Sequence, residues 1–213
     1  MSDATIAPPA AVDHGVPGHA DGHGAFPATT TGLSNNKLAM WLFLGSECLL
    51  FGGLISTYML YKNTALRGPR PHDLYDIPFT SVSSFVLLMS SMTMVLALSA
   101  IQRGDHERCR IWLATTAMLG AIFISGQVYE FTGFVKHGMG YTTNTAGSAF
   151  YTLTGFHGVH ESLGIVMLMS LFMMSLRGRL PQGRSEVVEI VGLYWHFVDV
   201  VWILIFTVVY LIP

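Results

Sequence analysis

Residues 38–61 read LAMWLFLGSECLLFGGLISTYMLY, an apolar run interrupted by one acidic residue, Glu47. A helix needs about 20 apolar residues to cross the hydrocarbon core of a bilayer, which is about 30 Å thick. Four more runs of comparable length follow, at residues 79–101, 111–131, 149–176 and 187–212. The sequence therefore predicts an all-α fold in which residues 37–213 form a polytopic membrane bundle of five transmembrane helices.

The overall composition agrees with a membrane chain and argues against several soluble classes. Of the 213 residues, 51% are hydrophobic and 11% are charged, whereas soluble domains carry about 25% charged residues. The formal net charge is −2, so the basic excess typical of nucleic-acid binding is absent. We therefore expect no nucleic-acid partner. The two cysteines are too few for a disulfide framework.

The placement of Lys and Arg predicts the orientation in the membrane. Seven of them fall on the N-terminal side of the predicted bundle and four on the other side. Because Lys and Arg collect in cytoplasmic loops, we expect the N-terminus in the cytoplasm and the C-terminus outside. Residues 1–36 contain no apolar run and predict a disordered cytoplasmic tail. Two interpretations of the tail histidines His14, His19 and His23 stay open: a metal site, or a flexible segment in which they have no such role.

Ionisable side chains within the apolar runs need a structural or functional explanation. A charge at mid-bilayer costs about 2.5–3.5 kcal/mol on insertion scales. Glu47 lies near the centre of the first predicted helix. It is either a carboxyl group hydrogen-bonded to a neighbouring helix or a group with a proton- or lipid-linked role. Gln127 and Glu130 are three residues apart, so they share one face near the end of the third helix.

The last two predicted helices carry most of the remaining polar groups. His157 and His160 share a face of the fourth helix and are followed by Glu161, while His196 and Asp199 are three residues apart in the fifth. Such residues could ligate a b-type haem, form a carboxylate–histidine metal site or hydrogen-bond between helices. The first two helices contribute no histidine and the second contributes no carboxylate. Interhelical hydrogen bonding is therefore favoured, and we expect no metal ligand and no catalytic residue.

Four segments resemble subunit III of the haem–copper terminal oxidases, in its short five-helix bacterial form. The resemblance covers essentially the whole chain after residue 36. The most specific segment is YWHFVDVVW at residues 194–202, which is similar to the final helix of the family. The other three segments are WLFLGSE at 41–47, QVYE at 127–130 and TGFHGVH at 154–160. Glu161 departs from the family pattern.

The resemblance implies a haem-free and copper-free subunit of a proton-pumping cytochrome c oxidase in a bacterial plasma membrane. Haem and copper would lie in partner subunits. This chain would contact and stabilise the catalytic subunit I, bind phospholipid and support proton uptake. Subunit II would belong to the same complex, and cytochrome c would bind only to that complex. Alternatives are a quinol oxidase, a homologue associated with nitric oxide reductases, a small transporter or channel, and a b-type membrane cytochrome.

The resemblance also implies roles for individual residues. Glu47 matches the carbodiimide-reactive glutamate of the family and would face a lipid-filled cleft, so it is the residue we expect to be lipid- or proton-linked. Structural polar contacts are expected at Gln127, Glu130, His157, His160, His196 and Asp199.

Overall fold

The computed structural model describes residues 34–62, 76–180 and 185–212, and all regular structure in these segments is helical. The helices are, in chain order, α1 (Asn35–Tyr61), α2 (Ile77–Gln102), α3 (His106–Lys136), α4 (Thr145–Leu176) and α5 (Ser185–Phe206). A π-helical turn, Thr207–Leu211, continues α5. All five helices are long and apolar enough to cross a membrane. The predicted all-α fold with five membrane-spanning helices is therefore confirmed, while its orientation stays a prediction.

Local signals extend the helices beyond their apolar runs. The side chains of Asp76, Asp105 and Asn144 cap α2, α3 and α4 by accepting from the backbone N–H three residues on, at 3.2, 3.0 and 2.6 Å. The caps explain why α3 begins at His106, five residues before the predicted run. The ends of α2, α3 and α4 are each followed by a glycine with positive φ, the conformation that closes a helix most easily: Gly104, Gly138 and Gly178.

The disordered cytoplasmic tail predicted for residues 1–36 stays a prediction. Residues 1–33, and with them the three tail histidines, lie outside the described part of the chain. α1 begins at Asn35, within the segment predicted as tail.

Helices α2 to α5 form a closed ring in which each helix packs against two of the others. Half of the most apolar 18-residue stretch of α5 is buried, the largest share of the five helices. Its two fully buried indoles, Trp195 and Trp202, lie in the main hydrophobic core. α5 is therefore the most deeply buried of the five helices.

Helix α1 packs against this ring with one narrow stripe. Its buried residues are Leu44, Phe51 and Tyr58, spaced seven apart and hence on one face. In its most apolar stretch 11% of the residues are buried. Most of its surface, Trp41 and Leu49 included, is exposed in the isolated chain. This helix offers a broad apolar face to lipid or to another protein.

Candidate functional site

A polar pair joins α1 to α4 at Glu47 and His160. Glu47 Oε2 lies 3.1 Å from His160 Nε2, and the two side chains are 14% and 12% exposed. His160 Nδ1 lies 2.7 Å from the carbonyl oxygen of Phe156, which can only accept, so Nδ1 carries a hydrogen. The pair is then either an ion pair or a neutral acid donating to a neutral imidazole. Phe51 packs edge-on against the His160 ring at 5.0 Å and shields the contact from one side.

Hydroxyl groups of α2 accept hydrogen bonds from the two indoles of α5. Trp195 Nε1 donates to Ser90 Oγ at 2.9 Å, and Trp202 Nε1 donates to Ser84 Oγ at 2.8 Å. Both bonds are buried, and a buried indole N–H without an acceptor would be costly. The two bonds therefore fix the register of α5 against α2.

A third serine of α2 links the polar residues predicted to share a face of α5. Ser91 Oγ lies 2.9 Å from His196 Nδ1 and also donates to Asp199 Oδ2. Ser91 and His196 are half-buried, whereas Asp199 is 3% exposed. This arrangement places Ser91 between a surface imidazole and a buried carboxyl group.

The polar residues near the end of α3 are bound by three different elements. Glu130 accepts from Thr80 Oγ1 at 3.0 Å and from Tyr210 OH at 3.2 Å. Gln127 Nε2 donates to the backbone carbonyl of Thr154 at 3.1 Å. Tyr210 belongs to the π-helical turn, where the extra residue in the turn changes the direction of the following side chains. These bonds connect α3 with α2, α4 and the end of α5.

The interior between α3, α4 and α5 is different, because its polar atoms lack partners. His157 Nε2 lies 3.3 Å from the carbonyl oxygen of Val198, but its Nδ1 has no hydrogen-bond partner in the described part of the chain. Both carboxyl oxygens of Glu161 and Oδ1 of Asp199 also lack one. His157 and Glu161 are fully buried. Four acceptor-capable atoms therefore face an interior that offers them no protein donor.

The imidazoles were also candidates for binding haem or a metal ion. His160 uses both ring nitrogens, and His196 turns Nδ1 to Ser91. His157 lies between the aromatic rings of Phe123 and Trp202, with centroids 5.9 and 4.9 Å away. The three rings are thus committed to separate contacts and do not converge on one axis, as a pair of haem ligands would. Within residues 34–62, 76–180 and 185–212, no group of three or more His, Cys, Asp or Glu side chains is placed to hold a metal ion.

The family model for cytochrome c oxidase subunit III matches residues 18–212. The chain belongs to this family. The predicted resemblance is therefore confirmed, together with the function at the level of a haem–copper oxidase subunit III. It is a multi-pass membrane protein, and its partners are other subunits of a respiratory oxidase complex.

The alignments with curated relatives span most of this chain and most of each relative. Cytochrome c oxidase subunit 3 of Bacillus sp. (strain PS3) is 38% identical over 177 residues, which are 83% of this chain and 86% of that protein. Quinol oxidase subunit 3 of Bacillus subtilis (strain 168) is 39% identical over 177 residues, again 83% and 86%. Cytochrome bo(3) ubiquinol oxidase subunit 3 of Pseudomonas aeruginosa is 35% identical over 194 residues, 91% and 92%. This subunit III is thus equally similar to relatives named for two electron donors.

Sequence reasoning missed the hydroxyl residues of α2 that bind the functional side chains. Thr80, Ser84, Ser90 and Ser91 occur in an apolar run and carry no charge, so the composition of that run does not single them out. One signal could have found them. Two tryptophans seven residues apart in α5 require two acceptors on one face of a neighbouring helix, and α2 is rich in serine at similar spacing.

Proposed function

We propose that this chain is the non-redox subunit III of a cytochrome c:oxygen oxidase, where it stabilises catalytic subunit I, holds phospholipid and supports proton uptake. Haem and copper lie in partner subunits, and cytochrome c meets only the assembled complex. In this proposal the N-terminus is cytoplasmic and the complex lies in a bacterial plasma membrane. The observation that carries the proposal is the Glu47–His160 pair, a protonatable contact between α1 and α4 inside the membrane-spanning part.

The outer face of α1 supports a role in assembly. A Cβ atom built at Gly45, Gly52 or Gly53 would meet nothing within 4 Å. Small residues on a membrane helix allow another helix or an acyl chain to approach its backbone closely. Because this face is open within the chain, a neighbouring subunit or lipid is the natural occupant.

A groove between α3 and α4 supports the lipid-binding role. Its volume is about 360 Å³, and Gln127 lies among otherwise apolar and small residues. Val128, Phe131 and Leu163 line the groove beside Gly155 and other small residues. An apolar groove of this kind in a membrane-spanning region suits an acyl chain.

Purification tests the assembly and the electron donor. A tagged chain drawn from native membranes in mild detergent should bring down a large polytopic subunit, and the visible spectrum should show haem. The complex should then oxidise reduced cytochrome c. Oxidation of quinol alone would contradict the cytochrome c assignment, and a colourless chain that comes down by itself would contradict the oxidase assignment.

Carbodiimide labelling tests the role of Glu47 directly. We expect the reagent to modify Glu47 in the wild-type complex and to lose this site in Glu47→Gln. Glu107→Gln is the matched control, because Glu107 is an exposed glutamate in the first turn of α3 and its loss should leave labelling at Glu47 unchanged. Equal labelling in wild type and Glu47→Gln would show that Glu47 is not the accessible, protonatable group.

A further inference from the structure

The unpartnered atoms of the α3–α4–α5 interior share one chemical property. A carbonyl only accepts, so the contact with Val198 places a hydrogen on His157 Nε2 and leaves a lone pair on a neutral Nδ1. The unpartnered oxygens of Glu161 and Asp199 are acceptors as well unless they are protonated. Buried polar groups are almost always hydrogen-bonded. What the interior lacks is therefore a hydrogen-bond donor.

The helix register brings these atoms to neighbouring levels. His157 lies opposite Val198, and Tyr194 OH donates to the carbonyl oxygen of His160 at 3.0 Å. Glu161 follows His157 by one turn of α4, and its Oε1 and the Trp195 ring both border Gly120. Asp199 follows Trp195 by one turn of α5. Glu161 and Asp199 therefore face the same interior from α4 and α5, on adjacent turns.

Among the residues that the structure describes, no cation forms an ion pair with these carboxyl groups. The ion pairs of the described residues join Lys37 to Glu189, Arg108 to Asp105 and His160 to Glu47, and none involves Glu161 or Asp199. Two neighbouring buried carboxylates without a counter-ion would combine desolvation with mutual repulsion. At most one of the two is therefore charged.

Few other groups lie near Glu161 and Asp199 that could alter the charge of these two carboxyl groups. α3 presents Gly120, where a Cβ would lie 3.1 Å from Glu161 Oε1. α5 presents Trp195, Tyr194 and Asp199, and α4 presents His157. α2 reaches Asp199 through the Ser91 hydroxyl.

We propose that Glu161 is a neutral carboxylic acid that shares one proton with Asp199 through bound water, forming an internal protonation site within the bundle. The ligands of this site are a proton and water. Glu161 gives its proton to the water, and the water gives one to Asp199 Oδ1, so the pair keeps a single negative charge throughout. A hydrogen of the water also satisfies His157 Nδ1.

This site has an outlet through α2 and α5. Asp199 Oδ2 accepts from Ser91, whose oxygen also contacts Nδ1 of the half-buried His196. A proton can therefore pass between the interior and the outer face of the bundle along hydrogen bonds that already exist. The inference concerns this chain alone and does not rest on the electron donor or on lipid.

Infrared spectroscopy of the purified oxidase complex tests whether Glu161 is protonated. The difference spectrum of wild type minus Glu161→Gln should contain the carbonyl stretch of one protonated carboxyl group. Glu107→Gln, which removes an exposed glutamate in the first turn of α3, is the control and should not remove such a band. Loss of carboxylate bands alone in Glu161→Gln would overturn the proposal.

A second variant keeps the test valid if Glu161→Gln does not assemble. In Asp199→Asn the acid band of Glu161 should persist but shift in frequency, because its proton acceptor has been removed. An acid region identical to that of wild type would overturn the shared proton.

Exchange into D2O tests the water and the outlet. The acid band should shift on exchange in wild type, and the shift should be slower in Ser91→Ala. Ser125→Ala is the control, because that hydroxyl donates only to the carbonyl of Ala121 in its own helix. A band that does not exchange in wild type would mean a dry site, and equal rates in wild type and Ser91→Ala would remove the proposed outlet.

Discussion

Helices α1 and α5 belong to one bundle but are held in it by different means. α5 is the most buried member of the ring, and its indoles are fixed by close packing and by buried hydrogen bonds to α2. α1 is attached from outside by the apolar stripe of Leu44, Phe51 and Tyr58, the Glu47–His160 pair and the ion pair of Lys37 with Glu189 at 2.8 Å. Close packing therefore specifies the ring, whereas a few polar and apolar contacts specify where α1 lies.

The largest loss of stability is expected where the packing leaves no room for an added methyl group. A Cβ at Gly120 would lie 2.5 Å from the Trp195 ring, which Gly164 confines on α4. Gly120→Ala should therefore destabilise the bundle by about 3 kcal/mol, at the upper end of the usual cost of overpacking. Thermal denaturation of the purified complex, followed by loss of this subunit, measures the effect. Gly133→Ala on α3, where a Cβ meets nothing within 4 Å, should stay within about 0.5 kcal/mol of wild type. Equal costs would show that the Trp195 ring is not tightly confined.

A smaller loss of stability is expected from removing one hydrogen-bond acceptor between the helices α2 and α5. Ser90→Ala leaves the Trp195 indole N–H buried without a partner, which should cost about 2 kcal/mol. Chemical denaturation followed by tryptophan fluorescence gives this value. The control is Ser56→Ala on α1, whose hydroxyl donates to the carbonyl of Gly52 in its own helix. If both variants lose the same stability, the indole bonds do not hold α5.

The attachment of α1 can be measured with a double-mutant cycle. Glu47→Leu, His160→Leu and the double variant should give a coupling energy of about 1 kcal/mol, because polar contacts between membrane helices are worth roughly 0.6–1.7 kcal/mol. Hydrogen exchange should show α1 opening before α5 in the single variants. Zero coupling would mean that the apolar stripe and the Lys37–Glu189 ion pair position α1 without the Glu47–His160 pair.

The smallest effect is expected at the surface. Lys37→Met removes the ion pair with Glu189, whose side chain is 36% exposed, and should cost about 0.5 kcal/mol. Salt screens exposed charges, so the difference from wild type should shrink as ionic strength rises. A loss that does not change with salt would show that Lys37 contributes through packing of its aliphatic chain.

Much of the fold could be predicted because bilayer thickness imposes a length on each apolar run. The five helices followed from that length alone, whereas their ends depended on capping residues such as Asp105 and lay up to five residues away. The π-helical turn was not predicted, because residues 207–211 continue an apolar run that reads as ordinary helix. Tyr210 was consequently missed as a partner of Glu130.

The candidate residues could be predicted more readily than their partners. Polar groups in apolar runs are conspicuous, so Glu47, His160 and Asp199 could be singled out from the sequence. Which atoms they meet depends on the register between helices, and single-sequence periodicity does not contain it. Ser91 illustrates the point, because a serine in an apolar run attracts no notice until α2 and α5 are seen side by side.

The position of α1 also determines when it can be packed during synthesis. Its contacts reach α4 and α5, and Glu47 precedes His160 by 113 residues. At roughly 5–20 residues per second, the ribosome needs about 6–23 s to make that interval. During this time α1 resides in the membrane with a carboxyl group whose imidazole partner has not been translated. Of the five helices, α1 therefore waits longest after its synthesis, because its contacts are complete only when α4 and α5 have been made.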